Sequence, residues 1–140
     1  MTQFLAVVAD LYTPLLVLVL VLIAFRYLKQ EQQQKLQNGI LLLLVGLAST
    51  YGLMLIDLHY SWWPRWGLDY STHTALAFCL QVLLHLARPR WRLVSWSIYF
   101  AYLALMWWLN YHSVMDMLTT MLSVGLLLRL GAICKVSTPG

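Results

Sequence analysis

Two short polar clusters interrupt an otherwise apolar sequence, and each contains a histidine. The first is Asp-Tyr-Ser-Thr-His-Thr at residues 69–74, and the second is Asn-Tyr-His-Ser-Val-Met-Asp at residues 110–116. His112 and Asp116 are four positions apart, so a helix through both would place them on one face. A carboxylate that accepts a hydrogen bond from one imidazole nitrogen fixes the tautomer and leaves the other nitrogen's lone pair free. The pair therefore predicts a histidine prepared for nucleophilic or acid–base chemistry.

The first cluster predicts an anion site at the start of a helix. Ser71 is a favourable N-cap residue for the apolar segment that follows it. The amides of Thr72, His73 and Thr74 would then point out of the helix N-terminus, where free N–H groups and the helix dipole attract anions. A phosphate group with His73 beside it fits such a site.

The composition indicates which elements must position these clusters. The chain has 140 residues, of which 61% are hydrophobic and 10% charged, whereas a soluble domain is about 25% charged. An ordinary cytosolic domain and a disordered chain are therefore excluded. Five continuously apolar segments predict helices, because strands of a membrane barrel would alternate. These segments are residues 4–25, 39–58, 71–86, 93–109 and 113–130.

A spanning helix needs roughly 20 residues, so the third segment is marginal and the others are adequate. No composition change or linker divides the chain. We therefore expect an all-α integral membrane protein, a bundle of about five transmembrane helices that forms a single membrane domain over residues 1–140.

The basic residues predict the orientation of this bundle. With five spans, eight of the nine fall on one side, in the connections after the first and third spans and at the C-terminal end. Cytoplasmic loops carry the excess of Lys and Arg, so the N-terminus is expected outside, in the periplasm of a bacterium. The positive net charge is thus explained by the topology of the bundle. We therefore expect no nucleic-acid partner. His73 and His112 are separated by one descending and one ascending span, which returns both to the outer face.

The two clusters resemble motifs of the type 2 phosphatidic-acid phosphatase superfamily. Ser-Thr-His-Thr at residues 71–74 resembles the family's Ser-Gly-His-Thr, and residues 111–116 resemble its final His-x-x-x-Asp motif. The order of the motifs, the single helical hairpin between them and their outer placement agree over about residues 69–130. The resemblance implies a lipid phosphatase or phosphotransferase in the bacterial inner membrane that works through a phosphohistidine, with no metal or other cofactor.

The resemblance also implies a role for each site residue. His112 would attack phosphorus, Asp116 would orient it, and His73 would protonate the leaving alkoxide. The substrate would be a phosphorylated lipid at the periplasmic leaflet, with other membrane lipids around the protein and the oligomeric state left open. The expected phosphate-binding residues are Arg65, Ser71, Thr72 and Thr74. Arg65 is included because it is the only basic residue expected on the outer side.

Two alternatives remain open. The family's first motif, Lys-x6-Arg-Pro, is missing from this sequence. Thr72 replaces the glycine of the family's Ser-Gly-His-Thr motif, and Met106 stands where the family has an Arg six residues before the nucleophile. These departures leave a non-catalytic membrane scaffold or accessory protein as one alternative. His-Ser-Val-Met-Asp-Met-Leu-Thr at residues 112–119 also resembles a motif of small bacterial membrane proteins regarded as metal-dependent hydrolases. On that interpretation His73, His112 and Asp116 would bind zinc or manganese.

The predicted topology can be tested by thiol labelling in intact cells. Single cysteines at Gln3, Ser61 and Gln33 would be placed in a chain that lacks Cys79 and Cys134. An impermeant thiol reagent should label the first two positions and spare Gln33→Cys, because the basic connection is expected in the cytoplasm. Labelling of Gln33→Cys alone would invert the topology and place both histidines inside.

Overall fold

Five α-helices account for most of the chain. The computed structural model describes residues 2–136, with side chains described for residues 3–131. The helices are α1 (Thr2–Lys29), α2 (Gln33–Tyr60), α3 (Thr72–Ala87), α4 (Arg92–Trp108) and α5 (Val114–Val136). Single 3-10 turns, Pro64–Trp66 and Pro89–Trp91, lie in the connections before α3 and α4. Residues 2–136 contain no strand, so the prediction of an all-α chain with five helices is confirmed.

The five helices differ in length. Three of them are long and apolar enough to cross a membrane: α1, α2 and the Val114–Gly131 part of α5. The third predicted segment is short, as expected, because α3 has 16 residues. The fourth segment, 93–109, is expected to be an adequate span; α4 has that same length of 17 residues, but it is not among the three helices named above. It begins after the turn at Pro89 and ends before Asn110, whose φ of 57° is incompatible with a continuing helix.

α3 lies at the centre of the bundle and packs against the other four helices. Half of its residues are buried, including the small residues Ala75, Ala77 and Cys79, which allow neighbouring helices to approach closely. Its buried Gln81 donates a hydrogen bond of 2.9 Å from Nε2 to Ser95 Oγ on α4. In contrast, α1 and α2 expose many large aliphatic side chains on their outer surfaces. Such surfaces suit a lipid environment.

The connection between α2 and α3 is fixed to the bundle by aromatic residues. Trp63 is buried, and its Nε1 donates a hydrogen bond of 3.1 Å to Thr119 Oγ1 on α5. Asp57 Oδ1 accepts a hydrogen bond from the Trp63 amide at 2.8 Å. The Tyr70 hydroxyl donates to the Thr50 carbonyl at 2.9 Å, and burial raises its pKa, so it stays a neutral donor. These contacts determine where α3 begins.

Two glycines of α2 test how tightly α3 packs. A Cβ on Gly46 would lie 3.1 Å from Cβ and Sγ of Cys79, whereas a Cβ on Gly52 would meet nothing within 4 Å. Gly46→Leu should therefore lower the free energy of unfolding by about 1–3 kcal/mol relative to Gly52→Leu, because overpacking forces the helices apart. Thermal unfolding in one detergent measures the difference. The gain in helix propensity is common to both variants, so equal melting temperatures would contradict the packing.

Candidate functional site

A cavity of about 300 Å³ lies at the end of the bundle where α1 begins and α4 ends. Its lining comes from α1, α3, α4 and the connection before α5. The lining residues are Ala9, Asp10, His73, Tyr102, Met106, Tyr111 and His112. The structure thus brings together the two histidines of the sequence motifs, although 39 positions separate them in the chain.

His112 precedes α5 and has one buried ring nitrogen. Its side chain is 14% exposed, and its Nδ1 lies 3.4 Å from Oδ2 of Asp69. This distance is longer than a good hydrogen bond, and Nδ1 has no other partner among residues 3–131. The Asp69 side chain is 70% exposed, so a small rotation can close the contact. With Nδ1 facing Asp69, Nε2 is the nitrogen that remains for chemistry in the cavity.

Asp116 does not contact His112 in the way the sequence predicts. The buried Asp116 carboxylate accepts hydrogen bonds of 2.8 Å from two amides, that of Asp69 on Oδ1 and that of Ser113 on Oδ2. Ser113 Oγ accepts in return from the Asp116 amide at 3.1 Å, which completes a reciprocal cap. Because α5 begins only at Val114, the four-residue helical spacing does not apply to His112. Asp69 takes the place that we expected for Asp116.

The start of α3 confirms the predicted N-cap but leaves fewer free amides than expected. Ser71 Oγ accepts from the Thr74 amide at 3.2 Å and donates to Thr74 Oγ1 at 2.8 Å. The Ser71 amide donates to Thr120 Oγ1 at 3.3 Å. Ser71 and Thr74 are fully buried, so both predicted phosphate-binding side chains are engaged in the fold. The amides of Thr72 and His73 have no acceptor in residues 2–136 and remain available to an anion.

The predicted cation is not part of the cavity. Arg65 is exposed on the turn Pro64–Trp66, and it is not among the lining residues. No Lys or Arg among residues 3–131 lines the cavity, and Asp10 contributes a carboxylate to it. Asp10 is not among the site residues expected from the sequence, although an ionisable residue inside an apolar segment is itself a signal of function. Tyr102 and Met106 carried no such signal.

The metal-ligand interpretation does not fit the geometry. In the part of the chain whose side chains are described, no group of three or more His, Cys, Asp or Glu side chains is arranged to hold a metal ion. Both oxygens of Asp116 accept hydrogen bonds from amides, which leaves His73 and His112 without the third expected ligand.

The double role of Asp116 in the fold predicts a large effect on stability. Asp116→Asn keeps one acceptor oxygen but turns an NH₂ group towards an amide donor. The free energy of unfolding should fall by about 1–3 kcal/mol, the cost of losing a buried hydrogen bond to a charged group. Asp10→Asn is the matched control because its side chain is exposed, and it should change stability by about 0.5 kcal/mol or less. Thermal unfolding of both variants measures this, and equal stabilities would refute the assignment.

Comparison with known proteins does not assign the chain to a family. No protein-family model matches the chain, and neither a curated protein nor a solved structure does. What can be concluded about function therefore depends on the chemistry of the cavity, above all on His73 and His112.

Proposed function

We propose that the chain is a membrane-embedded lipid phosphatase or phosphotransferase that works through a phosphohistidine at His112. The observation that carries this proposal is that His73 and His112 line one cavity at one end of the bundle. Two imidazoles in one cavity allow one ring to attack while the other transfers a proton. The active site would face the periplasm, at the outer leaflet of a bacterial inner membrane.

The proposed reaction has two steps. In the first, Nε2 of His112 attacks phosphorus, an N–P bond forms, and the P–O bond to the lipid breaks. Protonated His73 gives its proton to the leaving alkoxide oxygen. In the second, water or an acceptor hydroxyl attacks the phosphohistidine, the N–P bond breaks, and neutral His73 takes the proton of the nucleophile. The Asp69 carboxylate near Nδ1 stabilises the positive charge that the His112 ring acquires in the first step.

The charge of the cavity favours one class of substrate. The negative charge of the transferring group would be met by protonated His73 and by the free amides of Thr72 and His73. Within the described part of the chain, no Lys or Arg lines the cavity, and Asp10 adds a carboxylate. A singly charged phosphodiester is therefore a better substrate for this cavity than a doubly charged phosphomonoester.

A non-catalytic membrane accessory protein is the second candidate. It is favoured by the absence of Lys and Arg from the lining of the cavity and by the burial of Ser71 and Thr74 within the fold. Under this alternative the two histidines would bind a partner or an anion without breaking a bond.

Turnover of lipid phosphodiesters and monoesters by the purified protein tests the proposal. His112→Gln should abolish turnover, and His73→Gln should lower kcat by about 10²–10⁴-fold, the usual contribution of a general acid. EDTA should have no effect. An alkali-stable, acid-labile phosphoprotein should form with the wild type and be absent from His112→Gln. The matched control is His59→Gln, an exposed histidine outside the cavity, which should retain wild-type kinetics.

Variants of Asp69 and Arg65 extend the same turnover experiment. Asp69→Asn should lower kcat by about tenfold or more without lowering the melting temperature, because its exposed carboxylate acts on the His112 ring. Arg65→Ala should stay within about threefold of wild type, since its side chain does not line the cavity. If wild type and His112→Gln are equally inert on every lipid, the accessory protein is the better description.

A further inference from the structure

A second and larger cavity lies at the opposite end of the bundle. It has a volume of about 690 Å³ and forms a groove between the C-terminal half of α1, the N-terminal half of α2 and the C-terminal half of α3. Most of its lining is aliphatic, including Leu20, Leu43, Leu80 and Leu83. A groove of this size and composition accepts a hydrocarbon chain.

One end of this groove carries positive charge. The Tyr27 hydroxyl donates a hydrogen bond of 3.0 Å to the carbonyl of Ala87 and closes the groove between α1 and α3. Lys35 Nζ lies 5.9 Å from the centroid of the Tyr27 ring, and the Arg88 guanidinium carbon lies 5.7 Å from it. Two cations from different elements thus meet at one aromatic ring at the mouth of the groove.

Among the side chains that the structure describes, these two cations have no acidic partner. Among the side chains of residues 3–131, the single ion pair joins His112 and Asp69 at the other end of the bundle. Lys35 and Arg88 therefore present unneutralised positive charge next to an apolar groove. The chemical complement of that arrangement is a phosphate group attached to an acyl chain.

We propose that this groove binds one anionic phospholipid, with an acyl chain along the leucines and the phosphate between Lys35 and Arg88. The site is independent of the proposed chemistry at His112. Tyr27 and Asp10 are 17 residues apart on α1, which places the two cavities about 25 Å apart along the helix. Failure of one proposal therefore leaves the other intact.

The selectivity for an anionic over a neutral phospholipid must come from Lys35 and Arg88, and not from the apolar groove. Lipid tails are as apolar as leucine side chains, so an acyl chain gains little by leaving the bilayer for the groove. A Lys or Arg near an anionic headgroup contributes about a fivefold change in affinity. Headgroup charge should therefore decide which lipid stays bound.

Native mass spectrometry of the detergent-solubilised chain tests this proposal. The probes are phosphatidylglycerol and phosphatidylcholine with identical acyl chains. We expect one phosphatidylglycerol retained per chain, at least about tenfold more tightly than phosphatidylcholine, and a loss of about fivefold for Lys35→Gln or Arg88→Gln alone. The double variant should bind both lipids equally. Arg90→Gln is the matched control, because this exposed arginine lies on the neighbouring turn and does not contact Tyr27.

A second pair of variants tests the groove itself. A Cβ at Gly39, which lines the groove, would meet nothing within 4 Å, so Gly39→Phe should fill the space without disturbing the fold. It should abolish retention of phosphatidylglycerol. Gly52→Phe, equally unobstructed and outside the groove, should leave retention unchanged.

Three results would overturn the proposal. Equal retention of both lipids by the wild type would mean that only bulk lipid fills the groove. An equal loss with Arg90→Gln would mean that any positive charge on that side suffices. A lipid-free dimer that Gly39→Phe dissociates would mean that a second copy of the chain occupies the groove.

Discussion

The carboxylate of Asp116 joins two parts of the chain that are far apart in sequence. It accepts hydrogen bonds of 2.8 Å from the amides of Asp69 and Ser113, and so holds the connection before α3 against the start of α5. One turn further along α5, Thr120 accepts the amide of Ser71. Buried backbone N–H groups of an irregular segment need acceptors within the protein, and these two side chains supply them. His73 and His112 reach one cavity because these bonds fix the segments that carry them.

Much of this architecture follows from the sequence, whereas the partner of His112 does not. The apolar segments predict five helices, and Ser71 predicts the cap of α3, because a continuous apolar segment and a capping residue are both local features of the sequence. The start of α5 depends on a reciprocal cap, in which the Asp116 carboxylate accepts from the Ser113 amide and Ser113 Oγ accepts from the Asp116 amide. That cap places the first helical residue at Val114 and leaves His112 outside the helix. The start of α5 is only one residue later than the expected segment, but the carboxylate that pairs with Nδ1 of His112 is that of Asp69 and not that of Asp116.

The remaining lining of the cavity depends on contacts between helices. The rings of Tyr12 and Tyr102 stack with their centroids 4.3 Å apart and fix α1 against α4. That contact brings Asp10 into the cavity, which no spacing within α1 predicts. Met106 also lines it, at the position where the resembled phosphatase family has an arginine. An uncharged thioether therefore lines the cavity at this point.

The unequal helix lengths have a consequence for the bilayer around the protein. α1 and α2 have 28 residues each and α3 has 16, which corresponds to about 42 Å and 24 Å of helix. A hydrocarbon core of about 30 Å is shorter than the first two helices and longer than the third. A membrane that surrounds this bundle must thin locally beside α3 or leave the His73 end of α3 recessed below the headgroups. In a bilayer with longer acyl chains, the His73 end of α3 would lie deeper below the headgroups.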